Sequence, residues 1–231
     1  DRMSEKKEPV IIIRADGNEV LGMGHLMRCM SIGKAFQKQG AKCVFLVAQE
    51  KAGAFVREKG FVCEVLHTDF AKMETEFPHI EATVNKYKPN LWLVDSYQVT
   101  DKYILELQKS CPVFVLDDMG ERTLNADGII NYNIYGDKLR YSGAEKQKCL
   151  LGARYAPVRE AFSEVPYMVR DKVCNVLITM GGSDKLNITG IVCKSLLKSL
   201  PKEINITLIC GRFNPHLQEL LRLQDSEERV H

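Results

Sequence analysis

Short apolar runs alternate along this chain with stretches whose apolar residues recur at helical spacing. Neighbouring parallel strands need a crossover, usually a helix, so this alternation selects an α/β fold with a largely parallel sheet. Residues 10–13 form the first strand. Leu26, Cys29, Met30, Gly33 and Phe36 then mark a helix, Gly40 stops it, and 43–47 is the next strand. Further strands are expected at 61–66, 91–94, 113–116 and 128–130, with helices at 51–59, 80–87 and 101–109. Between 131 and 155 the pattern weakens: Leu150 and Leu151 form a short strand, and Pro157 opens a helix.

The pattern breaks at 164–171, which reads as a linker, and a second cycle begins. It comprises a strand at 173–179, a turn at Gly181-Gly182-Ser183-Asp184, a helix at 188–200, a strand at 205–210 and a helix at 215–223. Four regions result: a tail at 1–9, a first domain at 10–163, the linker, and a second domain at 172–231. Two strands and two helices bury a small core and leave both sheet edges exposed, so the second domain is expected to be incomplete.

Composition narrows the function. The chain has 231 residues, 27% of them charged, and a net charge of +2. Lys and Arg are interleaved with acidic residues, which argues against a nucleic-acid-binding stripe. No apolar run approaches the roughly 20 residues needed to cross a bilayer, and neither an apolar nor a basic membrane-docking patch is legible. Residues 1–9 lack the apolar core of a signal peptide, so a cytoplasmic protein is expected. The eight cysteines contain no C-x-x-C pair. Buried free thiols in a reducing compartment explain them better than zinc or disulfides. His67, His79, His216 and His231 have no metal-ligand spacing. No metal and no cofactor are expected.

The densest chemical signal is Gly22-Met23-Gly24-His25, followed by Arg28. A strand feeding a glycine turn at a helix start leaves backbone N–H groups facing outward, and His25 adds a titratable group. Gly22 and Gly24 are expected to serve positive φ or close approach of a ligand. The alternative is a tight loop with a capping histidine. Asp16, at the C-terminal end of the first strand, lies where ligands of open parallel sheets bind, and can contact His25 or a ligand; the alternative is an Asx-turn. Arg14 is expected to pair with Asp16 or Asp118. Tyr97 should share a rim with His25, while Asp95 caps the next turn. Asp117 and Asp118, as strand neighbours, point apart, one organising a loop and the other facing the site. In the second domain, Gly181, Gly182 and Ser183 form a candidate phosphate-binding turn, with a helix cap at Ser183 or Asp184 as the alternative. Asn214 is a further candidate on that side.

Taken in order, Arg14-Ala15-Asp16, Gly22 to Arg28, Asp95-Ser96-Tyr97, Asp117-Asp118, Asn131-Tyr132-Asn133 and Met180 to Asp184 resemble the UDP-sugar hydrolase family of the pseudaminic-acid pathway. Related spore-coat polysaccharide proteins share the pattern. The resemblance implies a GT-B-like architecture, as in glycosyltransferases with two Rossmann-like domains facing across a cleft. It implies a UDP-activated diacetamido-trideoxy sugar as substrate, cleaved at the anomeric C–O bond by water with inversion and without a metal. It makes His25 the base, Tyr97 a catalytic sugar-site residue, and Arg14, Asp16, Gly22, Gly24, Arg28, Asp118 and Asn133 substrate-binding. Gly181, Gly182, Ser183 and Asn214 would hold the nucleotide phosphates, with most uridine contacts beyond residue 231. Two other classes stay open: a glycosyltransferase in which His25 deprotonates an acceptor hydroxyl, and a noncatalytic sugar-nucleotide-binding domain.

Overall fold

A computed structural model describes residues 8–120, 124–141, 147–162, 164–211 and 214–231. Most of the expected tail, and Arg212 and Phe213 before Asn214, lie outside them. The described chain falls into two compact units. One holds the residues up to 18 together with 25–163; the other holds 19–24 with 164–231.

The first unit is a seven-stranded parallel sheet. Its strands are β1 (Val10–Ala15), β2 (Lys42–Val47), β3 (Val62–Val65), β4 (Leu91–Asp95), β5 (Val113–Leu116), β6 (Gly128–Asn131) and β7 (Lys148–Leu151), in the order β3-β2-β1-β4-β5-β6-β7. In β1 every residue after Val10 is buried, as expected of a central parallel strand covered on both faces. Helices α1 (Gly24–Lys38), α2 (Glu50–Glu58), α3 (Phe77–Tyr87) and α4 (Asp101–Gln108) fill the crossovers. In α1 the buried Leu26, Cys29, Met30 and Gly33 follow the stripe read from the sequence. Helix α3 has Pro78 in its first turn and ends at Lys88, which takes the left-handed conformation at φ 49° just before Pro89. The Thr100 side chain caps α4 by accepting from the Tyr103 N–H at 3.2 Å.

Among the described residues Pro157 opens no α-helix, and a single 3-10 turn follows it at Glu160–Phe162. Val158 and Phe162 are 65% and 58% exposed, so this stretch buries no apolar face, and a helix without such a face is marginal.

In the second unit, β8 (Asn175–Thr179) pairs in parallel with β9 (Asn205–Ile209), accompanied by α5 (Ile188–Ser199) and α6 (Leu217–Ser226). Its core gathers Ile178, Cys193, Ile206 and Val230. One sheet edge is not exposed as expected. The Ile206 N–H donates to Arg229 O, the His231 N–H to Ile206 O and the Leu208 N–H to His231 O, at 2.7, 2.9 and 2.8 Å, so 229–231 run alongside β9. The cysteines also differ from expectation. All eight are free, but only Cys29, Cys43 and Cys193 are buried, and Cys174 is exposed because β8 begins after it. Among the described residues no helix is long and apolar enough to cross a membrane.

Under the C-terminal end of β1 lies a closed charge cluster. Arg14, fully buried, donates from Nε and Nη2 to Glu76 at 2.9 and 2.6 Å and from Nη1 to Asp16 at 2.6 Å. The Tyr103 hydroxyl donates to Glu76 Oε2 at 2.7 Å, and Asp16 Oδ1 accepts the Ala48 N–H at 2.7 Å. Burial acts against the Arg14 charge, but Asp16 and Glu76 outweigh it and hold the guanidinium protonated. Removing one member of such a cluster strands the others without water. Arg14→Met is therefore expected to cost about 3–5 kcal/mol in urea unfolding; a loss under about 1 kcal/mol would show that the cluster is dispensable.

Candidate active site

The order of the first sheet reverses between β1 and β4, and at such a switch point the strand ends splay into a crevice. Ala15 lies beside Asp95 in register, closing both strands at this rim. The chain leaves β1, passes Gly22 at φ 73°, and starts α1 at Gly24, which brings His25 and Arg28 over the end of β4.

His25 is 6% exposed and its Nδ1 lies 2.7 Å from Asp95 Oδ1. Arg28 grips the same carboxylate with two bonds of 2.5 Å, Nε to Oδ2 and Nη2 to Oδ1. Its Nη1 donates to both Asp118 oxygens, at 2.8 and 2.7 Å, and to the Tyr132 hydroxyl at 2.9 Å. Burial alone would raise the Asp95 pKa, but hydrogen bonds from Arg28 and His25 outweigh it and hold the carboxyl below its ordinary range. An ionised carboxylate can only accept. The His25 proton on that side therefore sits on Nδ1, which in a neutral imidazole leaves the lone pair on Nε2.

Tyr97 stands edge-on to His25, with ring centroids 4.8 Å apart, and its hydroxyl donates to Asp118 Oδ2 at 3.0 Å. Burial and that bond raise its pKa, so the phenol stays protonated. Asp118 thus faces the site, while Asp117 turns inward to accept from the Gly120 N–H at 2.7 Å and the Tyr141 hydroxyl at 2.8 Å. The Asn133 amide nitrogen braces the loop by donating to Asn131 Oδ1 at 2.9 Å.

In the second unit, Gly181 has φ 75° in the turn after β8. The first N–H groups of α5 are already taken. Asp184 accepts from Ile188 and Thr189 at 2.8 and 3.0 Å, and Asn187, the helix cap, accepts from Gly190 at 3.2 Å. Asn214 Oδ1 accepts the His216 N–H at 2.8 Å. Among the described residues no cluster of His, Cys, Asp and Glu has the arrangement of a metal site.

No family model matches the chain. It is 23% identical over 214 residues to UDP-2,4-diacetamido-2,4,6-trideoxy-beta-L-altropyranose hydrolase of Campylobacter jejuni, covering 91% of this chain and 72% of the hydrolase. It is 24% identical to an uncharacterized protein of Methanocaldococcus jannaschii, covering 95% of this chain but only 47% of that protein. Among solved structures, a glycosyltransferase from Rickettsia africae superposes with a TM-score of 0.59 at 9% identity, covering 97% of this chain and 68% of the other. The UDP-GlcNAc 2-epimerase of Methanocaldococcus jannaschii gives 0.52 at 14% identity, covering 96% and 72%. The fold is of the GT-B type.

Within this GT-B-type chain the residues read from the sequence separate into two groups. His25, Arg28, Tyr97 and Asp118 form one hydrogen-bonded and packed group, with Asn133 on the loop beside it. Asp16 and Arg14 form another. Asp16 is held by Arg14 and Ala48, and Arg14 pairs with Asp16 and Glu76 rather than Asp118. Both side chains are buried, at 5% and 0% exposure, so their place is beneath the rim. Arg28 donates to the carboxylates of Asp95 and Asp118 and to the Tyr132 hydroxyl. Gly24 lies outside the positive-φ region and a Cβ there meets nothing within 4 Å, so only Gly22 is required by backbone conformation. Neither Ser183 nor Asp184 is the cap residue of α5, although the Asp184 carboxylate covers its first donors.

The residue missed was Asp95, read as a turn cap. The signal was an acid closing the apolar strand Leu91–Asp95 on the rim where His25 was placed. Because its folded pKa lies below the unfolded value of about 3.9, Asp95 contributes stability above about pH 4 that is lost as pH falls through the folded value. Asp95→Asn is therefore expected to be less stable than wild type near neutrality, with the gap narrowing below about pH 4 in urea unfolding. A gap that does not change with pH would contradict the ionised assignment.

Proposed function

We propose that this chain belongs to an enzyme that hydrolyses a UDP-activated sugar, and that the His25–Asp95 pair is its base. The single observation that carries the reading is the 2.7 Å contact between His25 Nδ1 and a carboxylate held ionised by Arg28, which leaves Nε2 able to take a proton. In the proposed step, a water oxygen attacks the anomeric carbon while Nε2 accepts its proton. The C–O bond to UDP breaks, and its electron pair leaves with the diphosphate. The imidazolium that forms is stabilised through Nδ1–H by Asp95. Tyr97, a protonated phenol at the same rim, is assigned to hydrogen-bond the sugar. The Gly182 and Ser183 N–H groups and Asn214 are assigned to the diphosphate; the α5 donors beyond them are occupied by Asp184 and Asn187.

The alignment with the Campylobacter jejuni hydrolase supports a diacetamido-trideoxy sugar as substrate and water as acceptor, and we add to the proposal a role in supplying surface-polysaccharide sugars. Inversion at the anomeric carbon, independence of a metal and a cytoplasmic location are parts of the same proposal.

The test is UDP release from UDP-2,4-diacetamido-2,4,6-trideoxy-L-altrose without acceptor, with the sugar product followed by NMR. His25→Asn is expected to lose about 10²–10⁴-fold in turnover with UDP affinity kept within about threefold. Release that requires an added acceptor would make the protein a glycosyltransferase. Unchanged turnover in the variant would remove His25 as base.

A separate substitution probes the phosphate turn. Gly182 does not need positive φ, and a Cβ there meets no atom closer than 3.9 Å, so Gly182→Val is expected to fold. Calorimetric titration should then show UDP affinity at least about tenfold weaker; normal affinity would exclude the turn from the phosphate site.

A further inference from the structure

Neighbouring strand ends on the rim of the first sheet each send one group to Arg28. Asp95 closes β4, Asp118 lies just after β5, and Tyr132 directly follows β6. Tyr132 has no part in the step proposed above, and it differs from the other two. A carboxylate only accepts, whereas a phenol both accepts and donates. The Tyr132 oxygen accepts the Arg28 Nη1–H at 2.9 Å, and the guanidinium carbon lies 5.6 Å from its ring centroid. These contacts fix the hydroxyl beside the His25 group without using its proton, which no group among the described residues accepts. The Tyr97 proton, by contrast, is committed to Asp118 Oδ2 at 3.0 Å. Tyr132 is half-buried, so its hydroxyl is held in place yet not closed off from a ligand.

The surrounding charge decides which acceptor suits this proton. The Arg28 cation lies between two carboxylates, 2.5 Å from Asp95 and 2.7 Å from Asp118. A diphosphate at this corner would meet no surplus positive charge and would be repelled by the acids. A neutral acceptor meets no such repulsion, and the bond from Arg28 polarises the phenol into a better donor. We propose that Tyr132 is a specificity-determining residue, donating its phenol proton to the carbonyl oxygen of an acetamido group on the substrate's sugar. The inference rests on the UDP-sugar reading and adds the residue that recognises the N-acyl group. A hydroxyl in place of the acetamido group holds its oxygen closer to the sugar ring, so the phenol proton would be left unmatched, and a buried donor without a partner is what rejects the wrong ligand.

The test measures binding in a His25→Asn background, where turnover is expected to be slow. Calorimetric titrations use UDP, UDP-2,4-diacetamido-2,4,6-trideoxy-L-altrose, and the counterpart with hydroxyls at both acetamido positions. Adding Tyr132→Phe removes only the hydroxyl and leaves Arg28 its bonds to Asp95 and Asp118, so the variant should fold normally by circular dichroism. Affinity for the diacetamido compound is expected to fall about tenfold, while affinities for UDP and for the hydroxyl counterpart change by less than about twofold. Equal weakening toward all three ligands would make Tyr132 a brace for Arg28. Equal weakening toward the two sugar nucleotides alone would mean that it does not recognise the acyl group, and no change toward any would remove it from the sugar site. Each of these results overturns the proposal. Failure of the UDP-sugar reading itself looks different, because the His25→Asn protein would then bind none of the three before Tyr132 is altered, and the proposal would fall with it.

Discussion

One buried carboxylate organises the rim of the first sheet. Asp95 closes β4 at 1% exposure, and an ion taken out of water is stable only when its charge and lone pairs are met. The residues that meet them, His25 and Arg28, both come from the start of α1, because β1 and β4 are neighbours and the chain leaving β1 turns directly over the end of β4. The requirement then spreads outward. Arg28, drawn in by Asp95, has one nitrogen left to hold Asp118 and Tyr132, and Asp118 in turn receives the Tyr97 hydroxyl. Backbone and side chains from three strand ends are thereby held together by compensation of a single anion.

Beside this cluster lies another of opposite construction, in which the buried cation Arg14 is compensated by Asp16 and Glu76. The two differ in what they can do. The charged groups around Arg14 are paired with one another and buried, and Asp16 ties the end of β1 to the backbone after β2. Around Asp95 the described hydrogen bonds reach the ring of His25, the group proposed as base.

Much of the fold is legible from hydrophobic pattern. The strand and helix positions through residue 116 follow it within a few residues, since each strand is a buried apolar run and each helix a one-sided stripe. Legibility falls where local pattern and packing part company. Pro157 and the apolar residues after it read as a helix start, yet Val158 and Phe162 stay largely exposed. Ser183 and Asp184 read as candidate caps of α5, but the helix starts later, at the left-handed Asn187. In the site, the residue types at His25, Arg28, Tyr97 and Asp118 were readable because each follows a strand on one rim. Their partners were not. Glu76 is 62 residues from Arg14 and Asp95 is 70 from His25, and no local rule links positions so far apart.

The sequence by itself determined the alternation of elements, the parallel sheet and the rim on which the chemistry-bearing residues gather, because hydrophobic periodicity and strand polarity are local properties that the parallel topology carries into space. Only the tertiary structure decided which acid serves His25, that Asp16 and Arg14 lie sealed beneath the rim, and that Arg28 pairs with Asp95 and Asp118. Those assignments depend on which strand ends become neighbours and on how each buried charge is compensated. Both are settled by the whole packed chain and by no segment of it.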